Sequence, residues 1–523
     1  MASDLRPNSS LVGALLTDMY QLTMAYGYWK AGRHEEPAVF EAFFRKNPFK
    51  GEFTIFAGLE EVLRYVATFH FTEDDLDFLR SVFPPTTDPA FFEWLGTLDC
   101  SRVRVVAVRE GTVVFPRIPL VRIEGPLGVT QILETAILNL LNFPSLIATN
   151  AQRMRLAAGT DKTLLEFGLR RAQGPDGAIT ASRYAYVGGF DGTSNVLAGK
   201  LFNIATRGTH AHAFVSAYAG PEDLKDKSLD GRPFWDDVLA RRDALGFHSS
   251  KVSELAAFVS YAIAFPSSFL ALVDTYDTLV SGVPNFIAVA LVLREYGYKP
   301  VGIRLDSGDL AYLSKMARAM FKKHDLGDAT IVASNDINEN VLISLNREGH
   351  EVDSFGIGTN LVTCQAQPAL GMVYKLVEIS GRACIKLSND FEKTTLPGRK
   401  QVYRLIGVDN VGLCDLMTRV DEPAPQAGER ILCKHPFQDR KRCYVRPTEV
   451  KPLLEVMFDA GKVVGALPSA EEIRQRVKDE VACLRDDHLR PLNPAIYKVS
   501  VTDTLYQFVH DLWGKNAPIQ ELQ

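Results

Sequence analysis

Residues 301–324 read VGIRLDSGDLAYLSKMARAMFKKH. An apolar run of strand length ends in a tip holding a guanidinium, carboxylates, a hydroxyl and a glycine. A segment with helical spacing of its apolar residues follows. The arrangement recurs along the middle of the chain, where short apolar runs end in polar or glycine-rich tips at LLEFGLRRA (164–172), NIATRGTHAHAF (203–214), FLALVDTYDT (269–278), TIVASNDINEN (330–340) and SFGIGTNLV (354–362). Helix-length stretches such as NFIAVALVLREYGY separate several of them. Near-continuous apolar strands alternating with helices imply parallel βαβ units. Six or more in succession predict a (β/α) barrel, whose chemistry gathers where the strands end. The competing layout, an open doubly wound sheet, binds ligand at one switch point. No G-x-G-x-x-G follows an early strand and nearly every strand carries a polar tip, which favours the barrel.

Outward from this core the texture changes. Residues 1–128 combine a helical start with strand patterns, among them VRVVAVREGTVVFPRIPLVRIEGP, punctuated by Gly111, Pro116 and Pro119. From Val129 a long helical stretch opens the barrel, expected over 129–365. Residues 366–460 read as hairpin-rich β-structure (GMVYKLVEISGRACIKLSND, KQVYRLIGVDNVGLCDLMTRV) that returns to complete the first domain. The remainder, 461–523, reads as helical and charged. The expected fold is an irregular TIM-like (β/α) barrel with a discontinuous α+β domain, formed from N-terminal and post-barrel segments, plus a C-terminal helical segment.

The chain has 523 residues, 46% apolar and 23% charged, enough for two or three domains. A formal charge of −5 and a pI near 6.1 leave no broad basic surface, which excludes nucleic acid as the main partner while allowing a local pocket for small anions. Seven cysteines lie scattered without a C-x-x-C, and the start, MASDLRPNSS, lacks the pattern of a secretory signal; both fit a reducing cytosol. The stretch LAAFVSYAIAFPSSFLALV, 255–273, carries no charge over the length of a membrane span. Pro266, Ser267 and Ser268 divide it, so a buried helix followed by a buried strand is expected, and no membrane.

The tips combine cations (Arg170, Arg171, Arg304), carboxylates (Asp274, Asp277, Asp306, Asp309), hydroxyls and glycines. Arginine forks bind phosphate or carboxylate, and glycine-rich backbone offers N–H groups to phosphate oxygens, so the ligand expected is an anion bearing phosphate and hydroxyl groups. GIGTN, 356–360, is either a phosphate cradle or a tight turn that requires glycine. RLDSGD, 304–309, could hold an anion, ribose hydroxyls and a divalent metal, or could simply cap the next helix through Ser307 or Asp309. In GTHAHAF, a strand-like geometry would put His210 and His212 on one face. A metal pair, ordinary packing and a nucleophilic or acid/base histidine all remain open; Asp274 on the neighbouring tip could fix an imidazole tautomer.

In chain order, LLTDMYQLTMAYGYWKAG, FEAFFRKNPF, EFGLRRAQGPDG, GGFDGTSNVLAG, GTHAHAF, LVDTYDT, RLDSGDL, SNDINE, GIGTNLVT and TLPGRKQVYR resemble the signatures of nicotinate phosphoribosyltransferases, from Thr17 to Arg404. The resemblance implies transfer of phosphoribosyl from 5-phosphoribosyl 1-pyrophosphate to nicotinate, giving nicotinate mononucleotide and pyrophosphate in NAD salvage. It implies ATP as co-substrate and magnesium, or manganese in its place, with metal ligands unassigned. His212 would be the phosphohistidine, His210 a structural neighbour, and Asp274 the residue that orients or assists His212. Tyr20 would stack on the pyridine ring from a partner subunit and Phe167 on the opposite face, making a homodimer with shared active sites; by pattern alone Tyr20 is an ordinary amphipathic-helix residue. Arg304 would lie near the nicotinate carboxylate and the phosphoribosyl group, Thr209 would donate to that carboxylate, and Asp306 would contact the ribose hydroxyls. Arg170 would bind phosphate, Gly358, Thr359 and Asn360 would hold the 5-phosphate, and Lys400 and Arg404 would add phosphate-binding cations.

The nearest rival is the nicotinamide phosphoribosyltransferases, which carry an aspartate at the position of Ser194; a serine there favours the carboxylate-bearing ring. Quinolinate phosphoribosyltransferases have no use for ATP coupling. A binding protein without activity would keep the core and lose the tips, yet His212, Asp274, Arg304 and Asp306 all stand in place. Ala213 departs from the resemblance, since a polar residue often follows the histidine.

Overall fold

The strand Gly302–Leu305 lies between Leu270–Leu272 and Thr330–Ala333, parallel to both, with Arg304 level with Leu272 on one side and Val332 on the other. In the computed structural model, which describes residues 5–387 and 393–517, these strands belong to the unit Asn150–Gln365. Its sheet has six parallel strands in the order Gly192–Thr193, Thr163–Glu166, Ser354–Ile357, Thr330–Ala333, Gly302–Leu305 and Leu270–Leu272. Helices Val283–Glu295, Leu310–Lys323 and Glu339–Glu348 connect the four strands of this sheet that come last in the sequence, and Gly174–Val187 connects the two that come first. The runs read as continuous apolar segments because helices cover such sheets and leave little strand surface in water. Register sets the tips level: Val273 N–H donates to the carbonyl of Arg304, Ser334 N–H to Leu305, Phe167 N–H to Ile357 and Ser194 N–H to Glu166.

This sheet is a curled half-barrel with two edges, not a closed ring. The reason lies in residues 194–269, where the chain passes through helices Val196–Phe202, His212–Ser216, Phe234–Ala244 and Val252–Ala264. The run 203–214, expected as a strand with a tip, makes only an isolated bridge between Thr206 and Thr193. The uncharged stretch 255–273 splits as its proline requires, into the helix Val252–Ala264, a turn Pro266–Ser268 and the strand Leu270–Leu272. The segment Thr278–Glu295 is long and apolar enough to cross a membrane and is mostly buried, as a core helix is.

The other unit comprises Met1–Thr149 and Ala366–Gln523. Its seven-stranded antiparallel sheet interleaves the two parts of the chain, Pro37–Phe43 pairing with both Val121–Pro126 and Val373–Ile379, and Arg104–Val108 with Leu454–Asp459. A second sheet of six strands is formed entirely after residue 399. The texture change at Val129 marks the start of a helical stretch whose residues up to Thr149 belong to this unit, so the division falls at Asn150 rather than at Val129. The C-terminal segment is not wholly helical: between helices Ala470–Ala482 and Asp503–Asn516, the strand Val499–Val501 runs parallel to Gly412–Arg419 and buries Ser500 and Val501.

Two cations of the TLPGRKQVYR stretch are sealed inside this unit. Lys400 Nζ lies 2.8 Å from Glu41 Oε2 and donates to the carbonyls of Leu396 and Gly398 at 2.7 Å each. Arg404 grips Asp415 with Nε and Nη2 at 2.9 and 3.0 Å, reaches Glu480 at 2.6 Å and donates to the Val113 carbonyl. Removing either cation would strand a buried carboxylate.

Candidate active site

Ala211 is extended (φ −105°, ψ 168°), and the helix His212–Ser216 begins on the histidine itself, which projects its side chain from the helix start with 42% of it exposed. Nδ1 is hydrogen-bonded with the Thr275 hydroxyl at 3.0 Å. Nε2 stands 3.8 Å from Asp274 Oδ1 and 3.7 Å from Asp306 Oδ2, too far for good hydrogen bonds. Asp274 sits at the end of the edge strand with its side chain only 2% exposed. Its Oδ2 accepts from Asp306 N–H at 2.9 Å and the Ser307 hydroxyl at 2.5 Å, while Oδ1 is buried with no hydrogen-bond partner. Asp306 Oδ1 in turn accepts from Arg304 Nη2 at 3.0 Å and the Ser334 hydroxyl at 2.6 Å, and Arg304 Nε donates to Ser334 at 2.7 Å. One oxygen of each carboxylate is thus anchored, and the other is turned toward a single imidazole nitrogen.

His210 has different surroundings, which corrects the one-face reading. It is buried, its Nε2 accepts the N–H of Leu272 at 3.3 Å, and its ring packs edge-on against Tyr261 with centroids 4.8 Å apart. Burial pushes its pKa down to about 4, so the ring is neutral near physiological pH and serves to bind the loop to the edge strand. Thr209 does the same: its hydroxyl donates to the Leu270 carbonyl at 2.9 Å, which commits the proton expected for a ligand carboxylate. Among the described residues no group of three or more His, Cys, Asp or Glu could hold a metal ion.

The opposite wall rises from Phe167. The guanidinium of Arg304 lies 5.6 Å from its ring centre. Gly356 permits this packing, since a Cβ there would meet the ring carbons at 2.4 and 2.5 Å. Glu166, the preceding residue, is a buried strut: its carboxylate accepts from Ser182 at 2.7 Å, from Thr193 at 2.5 Å and from the N–H of Gly168. Ser194, half-buried, follows directly on the strand Gly192–Thr193, and Arg170 is exposed on the turn Leu169–Arg171. Gly358 and Thr359 lead into the short helix Thr359–Val362, and the side-chain amide of Asn360 donates to the carbonyls of Asp336 and Ile337 at 3.0 and 3.2 Å.

Three expected residues belong to the other unit. Tyr20 is half-exposed on the helix Met19–Lys30. Lys400 and Arg404 are the buried ion-pair cations described above and have no charge to spare for a phosphate, a correction that follows from the cost of burying Glu41, Asp415 and Glu480 unpaired. Thr275, Ser307, Ser334 and Glu166 were not singled out as functional. Each stands at a strand end within a quoted tip or motif, yet spacing along the chain does not reveal which partner across the sheet a hydroxyl selects.

Family models match three parts of the chain: the nicotinate phosphoribosyltransferase N-terminal domain at 15–142, the nicotinate phosphoribosyltransferase family at 291–423 and the C-terminal domain at 399–509. A nicotinate phosphoribosyltransferase of Dictyostelium discoideum is 52% identical over 540 residues, covering 99% of this chain and 91% of the relative. The chain belongs to the nicotinate phosphoribosyltransferase family. Nicotinate phosphoribosyltransferase 2 of Arabidopsis thaliana is likewise 52% identical, over 99% of this chain and 97% of the relative. The crystal structure of human nicotinic acid phosphoribosyltransferase superposes with a TM-score of 0.85 at 44% identity, covering 95% of this chain and 99% of that one. RLDSGDL, SNDINE and GIGTNLVT fall inside the family match, whereas GTHAHAF and LVDTYDT lie between the matched segments. Similarity of this nicotinate phosphoribosyltransferase chain to its relatives across 143–290 therefore rests on the full-length alignments.

Proposed function

We infer that the chain transfers phosphoribosyl from 5-phosphoribosyl 1-pyrophosphate to nicotinate, forming nicotinate mononucleotide and pyrophosphate in NAD salvage, with ATP hydrolysis coupled through His212. The observation that carries this reading is the convergence of Asp274, Asp306 and Thr275 on one exposed imidazole, with Arg304 holding Asp306, in a chain about half identical to nicotinate phosphoribosyltransferases over its length.

Departure of pyrophosphate leaves positive charge on the ribosyl C1 and ring oxygen, so the work of the site is to steady the leaving group and hold the ring nitrogen in line. Phe167 supplies a flat wall for the pyridine. Arg304, whose Nη1 makes no hydrogen bond among the described residues, offers a donor to the nicotinate carboxylate or to phosphate. Ser194 presents no charge to repel that carboxylate. Gly358 and Thr359, with Arg170, are proposed for the phosphate groups, and Asp306 for the ribose hydroxyls. A phosphoryl group on His212 adds roughly −1.5 to −2 charges beside two carboxylates, so His212 accepts it only where cations offset the repulsion. Asp274 Oδ1 and Asp306 Oδ2, hard oxygens without a hydrogen bond among the described residues, would suit magnesium or manganese, which would supply that neutralisation.

The half-exposed Tyr20 suits a ring donated to a partner's site, and on that ground we propose a homodimer with shared active sites. We read the half-barrel as an irregular TIM-like barrel in which the GTHAHAF loop and its helices stand where strands would close the ring. Seven free thiols fit a reducing cytosol. The test is His212→Ala: ATP stimulation of mononucleotide formation should vanish while the melting temperature holds, and stimulation equal to the wild type would overturn the assigned role.

A further inference from the structure

Behind the tip that carries Asp274 and Thr275, the chain makes one π-helical turn, Thr278–Gly282, before the helix Val283–Glu295. Such wide turns are rare and concentrate at functional sites. Asp277 caps it, accepting from Leu279 and Val280 N–H at 3.0 and 2.7 Å. Gly282 presses it onto the strand end, where a Cβ would stand 1.9 Å from the Val273 carbonyl oxygen.

The other side of the turn is held by Glu254, fully buried on the helix Val252–Ala264. Its Oε2 accepts from the Ser281 hydroxyl at 2.5 Å and from Asn285 Nδ2 at 3.1 Å. Ser281 also receives the N–H of Lys251 at 2.9 Å, and Asn285 donates to the Lys251 carbonyl at 3.0 Å. Lys251 Nζ covers the ring of Tyr276, on the tip itself, at 3.6 Å. One carboxyl therefore joins the start of a helix to the turn that follows the tip.

That carboxyl makes no ion pair within 4 Å among the described residues, and its Oε1 is buried without a partner, as is Oδ1 of Asp274. The tip presents Asp274 as a second buried carboxylate; the turn and the following helix present the neutral Ser281 and Asn285. Lys251 is the cation acting on it; the helices packed against Val252–Ala264 carry Arg242, spent on Ser250 and the His248 carbonyl, and His212. Two neighbouring buried carboxylates with no cation in contact do not both ionise cheaply. Burial above all pushes Glu254 up to about 7, with the Asp274 charge adding to the rise.

We propose that Glu254 is a positioning residue of the active site: in its protonated form it fixes the Thr278–Gly282 turn and so holds Asp274 and Thr275 against His212, and its ionisation sets a like charge behind Asp274 that loosens the tip. The inference rests on the function proposed above. It is tested by measuring mononucleotide formation from nicotinate, with and without ATP, from about pH 5.5 to 8.5 for the wild type, Glu254→Gln and Glu254→Leu. Wild-type ATP stimulation should fall several-fold as pH rises through about 7. Glu254→Gln, a neutral isostere with the same acceptor, should keep stimulation across the range. Glu254→Leu, without the acceptor, should lose it at every pH. An alkaline fall in Glu254→Gln identical to the wild type, complete loss in Glu254→Gln, or full stimulation in Glu254→Leu would each overturn the proposal. A wild type that makes no product from nicotinate would instead overturn the reaction on which it rests.

Discussion

Gly356→Ala offers a way to move the Phe167 wall without removing any polar group of the site. The new methyl would stand 2.4 and 2.5 Å from two carbons of the Phe167 ring and 3.3 Å from Ser334 Cβ. The strand Ser354–Ile357 is pinned by pairing with Thr163–Glu166 on one side and Thr330–Ala333 on the other, so the ring is what yields. Its displacement forfeits an offset stack on the pyridine, about 0.5–1.5 kcal/mol, and weakens the Arg304 contact, about 0.5–1 kcal/mol. Together these amount to about 1–2.5 kcal/mol, or a loss of about 5- to 70-fold in kcat/KM for nicotinate. Steady-state kinetics with varied nicotinate at saturating 5-phosphoribosyl 1-pyrophosphate measure it, with thermal melting as the check on folding. A folded variant whose kcat/KM stays within about twofold of wild type would refute the placement of Phe167 at the ring.

Three further outcomes follow from particular contacts. Ser194→Asp sets a carboxylate near that of nicotinate; at about 6 Å and an effective dielectric near 20 the repulsion is roughly 2–3 kcal/mol, so kcat/KM for nicotinate should drop roughly 30- to 150-fold, and an unaltered value would remove Ser194 from the specificity argument. Lys400→Met strands Glu41 in the core and should cost about 3–5 kcal/mol of stability with the KM for 5-phosphoribosyl 1-pyrophosphate unchanged; a raised KM at an unchanged melting temperature would restore Lys400 as a phosphate ligand. His210 has a folded pKa of about 4 against an ordinary 6.5, so its contribution to stability is present above pH 6.5 and is lost as pH falls toward 4. The melting-temperature advantage of wild type over His210→Gln should therefore shrink across that window, and a difference independent of pH would contradict the burial argument.

What could be read from the chain was whatever burial writes into it. The runs at 164–166, 270–272, 302–305, 330–333 and 354–357 are largely apolar because sheet and helices cover them, and the polar tips that follow them mark the strand ends. The 203–214 stretch carries the same composition for another reason: His210 and Thr209 are fastened to the edge strand by side chains, so the apolar residues around them line a loop. Lys400 and Arg404 were misread because a cation in a strand looks the same whether it awaits a phosphate or faces a carboxylate far away in sequence; Glu41 lies 359 residues from Lys400. The link from Glu254 to the tip was out of reach for the same reason, since it passes through Ser281 and Asn285 on another helix.

The most direct measurement incubates the purified chain with 5-phosphoribosyl 1-pyrophosphate and magnesium, with nicotinate or nicotinamide, with and without ATP, and follows mononucleotide and phosphohistidine together. Nicotinate mononucleotide formed in preference to the nicotinamide product, stimulated by ATP and accompanied by label on His212, is the predicted result. Product from nicotinamide alone, or ATP stimulation with no phosphate on His212, would contradict it.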